Sequence, residues 1–350
     1  MSRNVSIEYL KAVLVSVMVF THSFALLGTL IPGNIGSQAY YLFSVIGTLI
    51  VFSGFIFCFG YASYHAYLSK PFAQVRHNLI TTAKNQLISY YISALLAVAA
   101  LPILGRANGV VQLSDVGAVL GFTYIAPYSE FMLAYFLITV ITLLLFKPLV
   151  ALSASPLAMF ITGLLSLVAT VLIPYDLFID NPLGLFVGSR SYAAFPLVQY
   201  GVFYVMGLYF ARFAIVWKWP IAVMAVAGTL FFGLIYLKTG SFPVRFPPSI
   251  GWICGSWGIL YGLYLLINWG VAKGFTSPLL LMMGGNTLLF LLLSNMILFA
   301  LSSRFKTTPL GAMLIGIAVL MACCYMVQIT RKPSPIKQPS TPVIEPTELT

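Results

Sequence analysis

The chain has 350 residues, 60% of them hydrophobic and 7% charged, with a formal net charge of +11. An ordinary soluble domain carries about 25% charged residues, so a water-soluble fold, which would need far more charge to cover its surface, is excluded. The surplus of 18 Lys and Arg over 7 Asp and Glu reads as the basic loops of a membrane protein, so the expected partner is a lipid bilayer and not nucleic acid.

The apolar runs are about 20 residues long and lack the alternation of barrel strands, so the spans are helical. The expectation is an all-α polytopic bundle of about ten transmembrane helices over residues 1–329, followed by a disordered cytoplasmic tail at 330–350.

In chain order, the first run is Tyr9 to Thr29. It reads as a retained helix and not a cleaved signal: it is long, it contains Lys11, and no small-x-small site follows. A Pro32-Gly33 turn leads to a run from Tyr40 to Tyr64, then a polar, basic linker from His65 to Asn85, then a third run from Leu87 to Leu104. The connection Gly105 to Ser129 holds a short semi-apolar piece of re-entrant or interfacial character. Further runs are Glu130 to Phe146, ended by Lys147-Pro148, and Pro156 to Ile173. After a polar connection with Asp176, Asp180 and Arg190 come Phe195 to Phe213 and Ile221 to Leu237. A Pro-rich segment with Arg245 precedes Ile250 to Trp269, Pro278 to Leu301 and Leu310 to Ile329. The four cysteines, Cys58, Cys254, Cys323 and Cys324, sit in apolar runs without metal or disulfide spacing and read as packing residues.

With the N-terminus in the cytoplasm and ten alternating spans, 12 of the basic residues fall on the cytoplasmic side and 6 outside. That ratio predicts an N-in, C-in topology. No strong internal repeat is visible.

Two residues of the first run are costly in a bilayer. Lys11 and His22 are eleven positions apart, which is roughly 1100°, or about 20° past three full turns. They therefore share one helix face, roughly 16 Å apart along the axis. Lys11 is within snorkelling reach of the cytoplasmic surface and reads either as an interfacial anchor or as a cation for a phosphate-bearing donor. His22 is too deep for that, and reads either as a packing hydrogen bond or as a proton acceptor near neutral pH. Glu130 reads as a charge favoured at a helix N-terminus. Arg76, His77 and Lys84 read as positive-inside residues or as a phosphate-binding patch. No His, Cys or carboxylate set has metal spacing, and no Gly-rich phosphate loop or Ser-His-Asp arrangement is present.

The spacing Lys11-x10-His22 resembles the opening motif of the acyltransferase-three family of integral membrane O-acyltransferases. Phe52-Ser53-Gly54-Phe55 is similar to the family's S-G-F stretch, Phe195 to Arg212 to its aromatic helix, and Gly284 to Met296 to its late G-x-N-S/T-L helix. The family carries two arginines in its third helix; here Lys84 stands for the first and Ile88 occupies the place of the second. Ser294-Asn295 stands where the family often has histidine.

The resemblance implies transfer of an acyl group, acetyl in the first instance, from cytoplasmic acyl-CoA to a hydroxyl of an envelope or exopolysaccharide sugar or its lipid-linked precursor. The implied catalytic residues are His22 as general base or transient acyl carrier, with Lys11 and Glu130. Glu130 would orient His22 or hold acceptor hydroxyls. The implied donor-binding residues are Lys11, Arg76 and Lys84, the co-substrate is acetyl-CoA with no metal, and the location is a bacterial inner membrane. Two rivals stand beside it: a transporter or flippase of a lipid-linked sugar or small solute, and a membrane assembly subunit without activity.

Overall fold

The computed structural model describes residues 4–29, 35–105, 113–178, 183–188, 195–302, 304 and 306–330. Arg106, Asp180, Arg190 and the tail from 331 lie outside the described residues. Among those residues there is no strand, only an isolated bridge between Gly28 and Thr307.

The first helix, α1 (Val5–Leu27), begins where Asn4 accepts a hydrogen bond from the Ile7 N–H through its side chain, with Glu8 in the first turn. Its far end is held by the segment before the last helix. Thr307 N–H donates to the Leu27 carbonyl, Thr29 N–H donates to the Thr307 carbonyl, both at 2.8 Å, and Lys306 Nζ donates to the Leu26 carbonyl. These contacts satisfy carbonyls that every helix end leaves open.

Beyond α1 come α2 (Ile35–Ser63), α3 (Phe72–Gly105), α4 (Leu113–Leu120), α5 (Glu130–Leu144), α6 (Phe146–Ala154) and α7 (Pro156–Leu172). The second half contains α8 (Gly184–Val187), α9 (Leu197–Arg212), α10 (Trp219–Thr239), α11 (Ile250–Ala272), α12 (Pro278–Gly285), α13 (Thr287–Ser302) and α14 (Pro309–Thr330).

The multi-pass membrane character is plain. Five helices are long and apolar enough to cross a bilayer: α1, α2 with its extension to Leu68, α10, α11 and α14. Counting α5 with α6, bent by 88°, and α12 with α13, bent by 84°, gives up to seven. The other apolar runs are also helical but fall short of that test. α7 has 17 residues and α9 has 16, fewer than the about 20 of a straight span, and α3 is long but polar over its first half.

Three expectations are corrected. The linker at 65–85 is helical: a π-turn, Tyr64–Leu68, prolongs α2, and α3 already begins at Phe72. Nothing between Phe72 and Leu101 is Gly or Pro, so its polar residues do not interrupt the helix. The run from Glu130 ends at Leu144, before Lys147-Pro148: both lie in the first turn of α6, where proline is tolerated. The run from Pro278 to Leu301 is broken at Asn286.

Helix α1 lies at the centre, against α2, α11, α12, α13 and α14. The hydropathic windows of α1 and α2 are 56% and 61% buried, against 17% for α10 and 28% for α14, which places the latter at the periphery. Leu234, Leu237, Leu314 and Met321 are exposed there, as side chains facing lipid can be. Small residues set the close crossings. Gly284 of α12 lies directly on the Glu8 carbonyl of α1, and Gly207 of α9 on the Phe57 carbonyl of α2; a side-chain carbon at either would collide with backbone.

Candidate functional site

His22 is half-buried on α1. The hydroxyls on either side are spent within the helix: Thr21 donates to the Met18 carbonyl and Ser23 to the Val19 carbonyl. The partner of His22 comes from α13. Its Nδ1 lies 2.8 Å from Asn295 Oδ1, and Asn295 is fully buried. The same amide donates through Nδ2 to the Tyr128 carbonyl at 3.2 Å. That second bond fixes which end of the amide faces His22. With Oδ1 as acceptor, Nδ1 must carry the proton, and a neutral imidazole then keeps its lone pair on Nε2.

Tyr128 completes the seat. Its ring meets the imidazole edge-on, centroids 4.5 Å apart, and packs on Phe299 behind. Its φ is 68°, in the left-handed region, which costs a non-glycine residue about 1–3 kcal/mol. The hydrogen bond from Asn295 to its carbonyl helps hold it there. Burial pushes the Tyr128 phenol up to about 12, so it stays protonated around neutral pH.

His22 lines a cavity of about 230 Å³ together with Glu130, Tyr128, Arg245 and the rings of Phe131 and Phe195. Arg245 comes from the segment between α10 and α11, and burial lowers it from its ordinary value. Arginine nonetheless stays charged in proteins. The cavity thus gathers a base, a carboxyl group and a cation.

A second cavity, of about 440 Å³, lies toward the N-terminal end of α1. Lys11, Gln86, Ser89, Tyr135 and the α12–α13 break at Asn286 line it. Lys11 Nζ pairs with Glu8 Oε1 at 2.9 Å, while Glu8 Oε2 is buried with no hydrogen-bond partner. Between the two cavities stands a layer of rings. Phe55 lines the Lys11 cavity; Phe52 and Phe131 line the His22 cavity. Phe131 meets Phe52 at 5.0 Å and Phe55 at 5.6 Å, both edge-on.

No protein-family model matches the chain, and no match was found among curated proteins or among solved structures. The chemistry of the site therefore rests on its own geometry.

His22 and Glu130 share one cavity and Lys11 lines the other. Glu130 is not the group that holds His22; Asn295 is. Arg76 and Lys84 are exposed on α3 and line neither cavity. Lys84 is two positions from Gln86, hence about 200° around the helix from the face that meets the Lys11 cavity. Among the described residues no three His, Cys, Asp or Glu stand together as metal ligands. Sequence reading missed the roles of Asn295, Tyr128 and Arg245. An amide inside LLLSNMIL and a cation inside FPVRFPP were the available signals, since each is expensive in apolar surroundings.

Proposed function

We propose that this chain is an integral membrane O-acyltransferase of the acyltransferase-three type. It moves an acyl group, acetyl in the first instance, from acyl-CoA to a hydroxyl of an envelope or exopolysaccharide sugar. The observation that carries this reading is the Asn295-held imidazole with its lone pair on Nε2, on the wall of one cavity and on the helix whose other end brings Lys11 to a second. Two cavities on one helix suit a reaction between a donor and an acceptor that enter from opposite sides.

In this reading the helices cross a bacterial inner membrane ten times with both ends in the cytoplasm. The Lys11 cavity then opens toward the coenzyme compartment. Lys11 attracts the anionic donor there, and Arg76 and Lys84, exposed on α3, add positive potential at the same surface.

The chemical step needs one base. Once the thioester end of the donor has passed between the Phe52, Phe55 and Phe131 rings, Nε2 of His22 takes the proton of the acceptor hydroxyl as its oxygen attacks the thioester carbonyl. The C–O bond forms, the C–S bond breaks, and the proton passes from the imidazolium to the departing thiolate. In the covalent variant Nε2 attacks first and expels the thiolate; the acceptor oxygen then takes the acyl group, breaking the N–C bond, and its proton passes to the thiolate. Glu130 is available to acceptor hydroxyls.

Purified protein with labelled acetyl-CoA and a panel of glycans is expected to yield labelled glycan, and His22→Ala to yield none while still inserting and accumulating. Full transfer by His22→Ala would overturn the assignment. Label retained on the protein without acceptor would select the covalent variant.

A second reading is favoured by one observation. The bent pair α12–α13 lines the Lys11 cavity, and broken helices at a central cavity are a transporter device. Passage of a labelled sugar across liposomes containing the protein, without chemical change, would favour it.

A further inference from the structure

Arg245 is the residue of the His22 cavity with no assigned work. Its guanidinium lies 4.5 Å from the centroid of Phe246 and 5.3 Å from that of Phe195. These faces hold its plane and leave its N–H donors for other partners. Nε is buried without a hydrogen-bond partner. Among the described residues the ion pair within contact distance is Lys11 with Glu8, so Glu130 shares the cavity with Arg245 but does not cap it. A buried cation with an unused donor is stabilised by an incoming anion, and a guanidinium fork matches the two oxygens of a carboxylate.

The rest of the cavity narrows the ligand. Its volume of about 230 Å³ is enough for one sugar ring. Phe131, Phe195 and Phe246 line it with aromatic rings, an apolar wall for the C–H groups of a pyranose. Charge selects among anions. The single guanidinium matches one negative charge, whereas a phosphate dianion would bring a second that no further cation of the lining meets.

We infer that Arg245 receives the carboxylate of an acidic sugar, so that the acceptor is a uronate whose hydroxyl stands at His22. The fate of that hydroxyl rests on the acyl-transfer reading; the binding of the carboxylate does not.

The test is therefore a binding measurement without donor. Glucuronate, glucose and glucose 6-phosphate are titrated against the detergent-purified native chain by saturation-transfer NMR. Glucuronate is expected to bind about tenfold or more tightly than glucose. Arg245→Gln is expected to reduce the preference to near unity. Should that variant not accumulate, Arg245→Lys keeps the charge but loses the fork, and is expected to weaken glucuronate several-fold with glucose unchanged. Equal binding of glucose and glucuronate by the native chain, or a preference untouched by either variant, overturns the inference. Tighter binding of glucose 6-phosphate than of glucuronate overturns the choice of carboxylate. An intact preference for glucuronate with no acyl transfer to any glycan would sink the acyltransferase reading alone.

Discussion

The amide of Asn295 reaches across from α13 to the imidazole of His22 on α1, with Oδ1 2.8 Å from Nδ1. One side chain thereby sets both the tautomer and the tilt of the proposed base. Asn295→Ala should lower acyl transfer about tenfold to hundredfold through misplacement of the ring, whereas His22→Ala should lose about 10²–10⁴-fold or more. Hydrogen bonds between membrane helices average about 0.6 kcal/mol each and two are lost, so the melting temperature of Asn295→Ala should fall only slightly. A large fall in stability with unchanged turnover of the folded fraction would make the amide a packing device only.

Lys11 and Glu8 form a pair in which one partner needs the other. Lys11→Met removes the cation and leaves a carboxylate mostly shielded from water, a loss of about 1–3 kcal/mol. Adding Glu8→Gln should restore the melting temperature but not the KM for acyl-CoA. Recovery of both together would mean that Lys11 acts through stability and not through the donor.

The ring layer predicts leakage. Phe131→Leu shortens the side chain that touches both Phe52 and Phe55. Acetyl-CoA hydrolysis in the absence of acceptor should then rise relative to productive transfer, read by thiol release. An unchanged ratio would mean that these rings do not separate the two compartments.

Gly284 allows α12 to lie on α1 at the Glu8 carbonyl. Gly284→Ala should cost about 1–3 kcal/mol by overpacking, visible as a lower melting temperature and weaker accumulation in detergent. The same change at Gly233, which has open space around it, should be silent.

The sequence disclosed much of this fold because lipid writes its demands residue by residue. Every apolar run became helix, and Lys11 and His22 stood out by cost alone. Breaks and partners were harder to read. The start of α3 was hidden because basic residues form helix as readily as they form linkers. The kink at Asn286 carries no proline to announce it. The bond between His22 and Asn295 joins residues 273 positions apart, a relation no local pattern can encode. Arg245 came to the cavity from a segment between helices that resembles an ordinary loop.

Helix α1 sits at the centre, yet it is made before four of its neighbours, α11 to α14. During synthesis the imidazole must wait in the membrane without its amide until Asn295 has been inserted. A chain halted after α10 would hold the base and lack the group that points it. The His22 cavity would then gain its oriented imidazole only once α13 is in place.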